Sequence, residues 1–353
     1  MSSDAAGDAT IEWFGATTFR LKAKGLTIFL DTWLDRPESL PKYLSIDDVN
    51  ECDYIFVSHA HFDHLPGTDR LAKRTGALVV GNGEVINVMR DAGVADAQLM
   101  AVAGGERIAL FTADQRKEAI VQAKAAMEKL APGQPPPGPP GPPMPPSSDA
   151  VMAVHIYPSL HCLMPPGDHR SIPEMIDSGT IYTGSSPFAC TADITRALTY
   201  GLGGLMRLPQ LPPAIPEDMQ IFLSYLKDTS SNKHSFYDGG QLLYNFLLGE
   251  KTLLWNGHLG EIEPQPDIAI LGIAGRANLN GRPYDGSAAQ FATEEIKWLG
   301  QPDKVIWCLH DQAPLNPKYI DTDVATSTVE RETRSRVLTL KPGEVHKLFA
   351  SNS

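Results

Sequence analysis

Cysteine is scarce in this chain. Four cysteines occur among 353 residues, at 52, 162, 190 and 308, and no two form a C-x-x-C pair. That spacing gives no sign of a zinc knuckle or a dithiol redox motif, and reduced thiols are the expectation. Long apolar runs are missing as well. No stretch of eighteen consecutive apolar residues occurs, so no segment reads as membrane-spanning. The opening residues, Met1 to Asp8, are small and acidic and contain no apolar signal core. Together these absences make a soluble cytoplasmic protein the expectation. Positive charge is also in short supply: 30 Lys and Arg stand against 42 Asp and Glu, a net charge of −12. Nucleic acid and anionic membrane surfaces are bound chiefly through positive charge, so the balance argues against both partners. Lys22 and Lys24 make only a small basic pair.

What the chain does contain is a globular composition, with 42% hydrophobic residues, enough for a large core in one or two domains. Its most informative stretch is Tyr-Ile-Phe-Val-Ser-His-Ala-His-Phe-Asp-His-Leu-Pro, residues 54 to 66. The apolar run Tyr54 to Val57 reads as a buried strand, and Pro66-Gly67 as a turn before a helix over 68–75. The four potential ligands His59, His61, Asp63 and His64 therefore fall where a strand ends and a loop begins. Alternate residues of extended chain point the same way, so His59 and His61 can converge on one ion. After the bend, Asp63 and His64 can serve a second. Imidazole plus carboxylate suits Zn2+, one ion or two, with Mn2+ or Fe2+ as alternatives.

This hexad resembles the H-x-H-x-D-H signature of the metallo-β-lactamase superfamily. Residues 10 to 35, read as two or three strands with a Lys-Gly turn, are similar to the opening hairpin of its lactonase-like branch, the L-ascorbate-6-phosphate lactonase-like proteins. The resemblance implies an α/β fold of the four-layer αββα sandwich type. It implies that His59 and His61, joined by His161 just beyond the strand 151–157, hold one metal. It implies that Asp63, His64 and His310, the last following the strand 305–309, hold the other. It also makes Asp31 a support behind the metal loop, where a plain strand-end turn is the alternative. Where the family carries a bridging Asp, this chain has His258 in Asn256-Gly257-His258-Leu259-Gly260. A neutral imidazole has one free lone pair and cannot bridge two cations. His258 therefore either ligates one metal terminally, or acts as an acid or base near its ordinary pKa, or marks a single-metal site. Asp193, Asp238 or Asp311 could supply the missing carboxylate, and Thr183-Gly184-Ser185 offers another alignment with the bridging turn.

The rest of the chain is read as one domain over 1–353 with two insertions. Strand and helix alternate at 77–80 and 83–92, and a further strand covers 107–111. The first insertion, about 113–150, joins a helix-forming Ala-, Lys- and Glu-rich stretch to a run of proline and glycine, read as a solvated loop. The second, about 163–235, is rich in Pro, Gly and Met and reads as a lid or wall beside the site, with a helix near 191–200 and apolar Leu202, Leu205, Met206 and Leu208. Strands at 242–248, 252–255 and 266–273, a short helix at 293–299, and a closing strand (335–340) and helix (344–349) complete the pattern.

The function expected is a metal-dependent hydrolase, in which a metal-bound hydroxide attacks a lactone, ester or amide of a small molecule. Asp63 orients the nucleophile and helps protonate the leaving group, with His258 as a further acid or base. A phosphodiesterase of the N-acyl phospholipid type is the alternative, as is a repurposed non-hydrolytic member: a lyase, an isomerase or a binding protein.

Overall fold

A computed structural model describes residues 8–131, 133–135, 141–163, 194–210, 212–255, 262–275, 277–279, 282–284, 286–314 and 319–349. His258, Asp193, Cys190 and Thr183-Gly184-Ser185 lie outside the described residues.

The first six strands alternate or bury both faces according to their place. β1 (Thr10–Trp13), β2 (Phe19–Ala23), β3 (Leu26–Leu30), β4 (Tyr54–Phe56), β5 (Leu78–Gly81) and β6 (Leu99–Ala101) form one sheet, and β16 (His346–Lys347) closes it against β1. β2, Phe-Arg-Leu-Lys-Ala, buries every second residue, whereas β3 and β4 are buried throughout. The second sheet takes β7 (Arg107–Leu110), β8 (Met152–Pro158), β9 (Leu242–Leu247), β10 (Thr252–Trp255) and β11 (Ile268–Gly272). After a small hairpin of β12 (Asn278–Leu279) and β13 (Arg282–Pro283), it gains β14 (Lys304–Cys308) and β15 (Arg336–Val337). Each sheet is antiparallel on one side and parallel on the other. The change comes between β3 and β4 in the first, and between β10 and β11 in the second.

The sheets meet face to face over a wholly apolar interior. Phe56 of β4 sets its edge on Tyr244 at 5.2 Å and on Phe246 at 5.0 Å, and Tyr244 stacks on Trp255 at 5.5 Å. Edge-on and offset pairs of this kind add to the stabilisation that burial supplies. The outer faces are covered by helices whose apolar residues recur at helical spacing. On the first sheet, α1 (Thr68–Thr75) and α2 (Gly83–Asp91) seat Leu71, Ala72, Val85 and Met89 against Ile55, Val57 and Val79. On the second, the longer helices over Ala288–Trp298 and Asp323–Glu332 seat Ala292, Ile296, Ala325 and Val329 against Leu254, Ala269 and Val305. The result is a four-layer αββα sandwich.

Two local readings change. Residues 344–349 do not form a helix; His346 and Lys347 pair with Ile11 and Thr10, because the chain has to cover the open edge of β1. The helix expected at 293–299 begins earlier, at Ala288, where the Ser287 side chain accepts from the Gln290 N–H and caps it. In the first insertion the helix α3 (Ala113–Met127) starts from a Thr112–Gln115 capping box, and none of its residues is buried. In the second, described from Ile194 onward, α4 (Ile194–Ala197), a π-helical turn (Leu198–Leu202), α5 (Gly203–Met206) and α6 (Glu217–Lys227) make a small helical cap. The helices over 288–298 and 323–332 are then α7 and α8. No helix among the described residues is long and apolar enough to cross a membrane.

Candidate metal centre

β3 and β4 run parallel, with Leu30 beside Phe56, so their carboxyl ends release Asp31 and His59 at the same rim. The loop after β4 folds on itself at once: the His64 and Leu65 N–H groups both donate to the His61 carbonyl, at 3.2 and 3.0 Å. Gly67 ends it with φ +97°, and a Cβ there would meet the Thr32 carbonyl at 2.9 Å and Ile46 at 2.7 Å, so only glycine fits.

This tight turn gathers imidazoles. The ring of His59 lies 4.5 Å from His61, 3.9 Å from His64 and 4.8 Å from His161, which arrives from the end of β8. His59 Nε2 and His61 Nδ1 face each other at 3.1 Å. One nitrogen from each of His59, His61 and His161 falls within 4.8 Å of the other two; among the described residues no other trio of His, Cys, Asp or Glu does so. Burial, and then the neighbouring imidazoles, hold His59 and His61 well below the ordinary histidine pKa. Both are therefore neutral and keep a lone pair to offer. Among the described residues, His61 Nε2 is buried with no hydrogen-bond partner.

Behind the trio sits Asp31, fully buried and at φ +52°. Its Oδ1 accepts from the Ser58 N–H at 2.8 Å. Its Oδ2 accepts from Thr17 Oγ1 at 2.6 Å, Ser58 Oγ at 2.9 Å and His64 Nδ1 at 2.6 Å. Because Ser58 gives its one proton to Asp31, its oxygen accepts from His59 Nδ1 at 3.0 Å, and the tautomer of His59 is fixed with its lone pair on Nε2. His64 is held above its ordinary pKa: burial opposes the proton, but Asp63 and Asp31 outweigh it. Its Nε2 lies 3.5 Å from Asp63 Oδ1, so His64 and Asp63 present a nitrogen and an oxygen side by side.

His310 stacks flat on Trp13, with ring centres 4.7 Å apart, and its Nδ1 is buried without a hydrogen-bond partner among the described residues. It forms no close trio with Asp63 and His64. Asp311 does not stand in for a missing carboxylate: it is buried against Arg36 at 2.8 Å and accepts from the Ala16 N–H at 2.8 Å. Asp238 caps its own turn through the Gly240 N–H. Trp33 is core, packed under Arg36 and donating to Tyr225 at 2.9 Å.

Three neighbours have no signature in the sequence. Thr17 and Ser58 complete the cage around Asp31. His234 comes from the end of the cap and is close enough to His61 and Asp63 to share their fields. A histidine in Lys-His-Ser-Phe carries no ligand spacing, so only the fold could reveal it. The cap itself is anchored on the metal loop: Phe62, between His61 and Asp63, packs edge-on to Phe222 of α6 at 5.0 Å, within a cluster of Leu198, Leu202, Leu223 and Leu226.

Comparison with known proteins points the same way. Residues 27–130 match the model of the beta-lactamase superfamily domain, a span that takes in 59–64 but neither His161 nor His310. A metal-dependent hydrolase of Pyrobaculum islandicum is 35% identical over 102 residues, 28% of this chain and 44% of that protein. Another from Staphylothermus marinus is 40% identical over 91 residues, 24% of this chain and 40% of its own. The chain thus spans less than half the length of the curated relatives it matches. Among solved structures, Igni18, a metallo hydrolase from Ignicoccus hospitalis, is similar along nearly all of both chains (97% and 98%) at 15% identity, with a TM-score of 0.51.

Proposed function

We propose that this chain is a member of the metallo-β-lactamase superfamily and a metal-dependent hydrolase with its metal held by His59, His61 and His161. The observation that carries the reading is the convergence of three imidazoles, two of them buried and neutral and one with its lone pair fixed inward by Ser58 and Asp31. Such a donor set suits zinc, and iron or manganese as alternatives. Asp63 and His64 are the candidates for a second ion, with His310 and His258 as its further proposed ligands. A divalent cation at this rim would supply Lewis acidity, lowering the pKa of water and polarising a substrate oxygen.

The protein's own residues do the rest. Asp63 is half-exposed beside His64 and is the group placed to take a proton from water and return it to a leaving group. Asp31 is sealed from solvent and keeps His59 and His64 aimed outward. The cap beside the metal loop is built on an apolar core, in keeping with an uncharged or acyl substrate, which favours a small lactone, ester or amide. A phosphodiester is less well served, since the buried guanidinium of Arg36 is committed to Asp311 and the Gln312 carbonyl. A cytoplasmic setting fits the buried free thiols of Cys52 and Cys308.

The test is metal analysis of protein purified without chelator, followed by a panel of lactones, esters, amides and phosphodiesters. Bound zinc, iron or manganese, with hydrolysis that chelation removes and the metal restores, is expected. His59→Ala and His161→Ala should lose both metal and turnover, while Asp63→Asn should keep the ion held by the three histidines and lose about 100-fold or more in kcat. Protein that binds no divalent ion and hydrolyses nothing on the panel would refute the reading.

A further inference from the structure

The stretch that leaves the cap, residues 232–242, runs back along the metal loop and is tied to it. The Ser235 N–H donates to the Ala60 carbonyl at 2.8 Å, the Ala60 N–H to the Asp238 carbonyl at 3.2 Å, and the Leu242 N–H to the Ser58 carbonyl at 2.9 Å. Ser235 Oγ donates to Glu84 at 2.5 Å, and Asn82 donates to the carbonyls of Asp238 and Gly240. Position 234 is therefore fixed against the residue that separates His59 from His61.

The ring of His234 is oriented just as firmly. It meets Phe62 edge-on at 6.5 Å and Phe236 at 5.4 Å. Its Nδ1 lies 3.0 Å from the Asn232 carbonyl, and a carbonyl only accepts, so Nδ1 carries the proton. Asn232 is itself buried and donates to the Tyr225 carbonyl at 2.9 Å. With that proton on Nδ1, the lone pair of the neutral ring lies on Nε2. Among the described residues that nitrogen has no partner, and the metal mechanism above does not use it.

We propose that His234 is a substrate-binding residue of this site, its Nε2 accepting a hydrogen bond from a hydroxyl or amide N–H carried next to the scissile carbonyl. The proposal rests on the hydrolase reading and narrows it: the preferred lactone or ester bears a donor beside the bond that breaks. Phe62 and Phe236 flank the acceptor, so the donor group is seated between apolar walls where a lost hydrogen bond is costly.

The experiment uses metal-loaded protein and two probes that differ by one hydroxyl, α-hydroxy-γ-butyrolactone and γ-butyrolactone. The wild type should prefer the hydroxylated lactone in kcat/KM. His234→Ala should lose roughly 10-fold on that lactone and little on the other, with metal content and Tm unchanged. His234→Gln, whose amide oxygen can take the place of Nε2, should recover most of the preference. An active wild type that does not distinguish the two lactones, or His234→Ala falling equally on both, overturns the assignment while leaving the hydrolase reading intact. Loss of metal in His234→Ala overturns it too, making the residue a ligand. A wild type that turns over neither lactone fails the lactone reading, and the assignment falls with it.

Discussion

Asp31 does more than its position at the end of a strand requires. Two oxygens serve one backbone N–H, two hydroxyls and an imidazole, and through Ser58 they set the tautomer of a second imidazole. Asp31→Asn is a sharp probe, because asparagine shares aspartate's tolerance of the left-handed backbone and its size. It replaces one acceptor with a donor, facing groups that all donate. We expect metal affinity to fall about 10- to 100-fold, measured by competition with a chromogenic chelator. At this scale the sequence was informative where spacing carried the signal, as in 59–64, and silent where partners come from far along the chain. Thr17 and His234 are ordinary residues until the fold brings them to the loop. The role of Asp311 was misleading for the same reason: nothing near it in the chain announces Arg36 as its partner.

Elements show the same division. Strands such as β3 and β4 are legible because burial on both faces leaves an unbroken apolar run. β16, two residues long, leaves no period to read, and α8 hides because only Ala325 and Val329 of its ten residues are buried. The cap is the element with most at stake, since Phe62 joins its core to the metal loop. Phe62→Ala should cost about 3 kcal/mol in denaturant unfolding, within the usual range for emptying a buried phenylalanine. It should also expose the segment between α5 and α6 to limited proteolysis, while the αββα body stays protected. Equal protease resistance in the variant and the wild type would show that the cap is held by something else.

For the molecule as a whole, pH reports what its interior tolerates. Burial pushes the Glu295 carboxyl in α7 up to about 8 from an ordinary 4.5. The folded state then binds a proton that the unfolded state has released, so this residue favours folding fully below about 4.5, and that contribution is lost as pH rises through 8. Glu295→Gln should remove the loss, leaving a protein whose Tm falls less between pH 6 and 8.5 than that of the wild type, by an amount worth on the order of a few kcal/mol at most. Identical profiles would mean that the carboxyl stays charged inside the fold.

The pairing of β16 with β1 has a consequence in time. Translation delivers β1 to β6 early, yet the outer margin of β1 stays bare until residues 346 and 347 emerge. A nascent chain must carry that unfinished border through the synthesis of the entire second sheet. Stalled or shortened products would therefore offer neighbours a strand-shaped invitation to join.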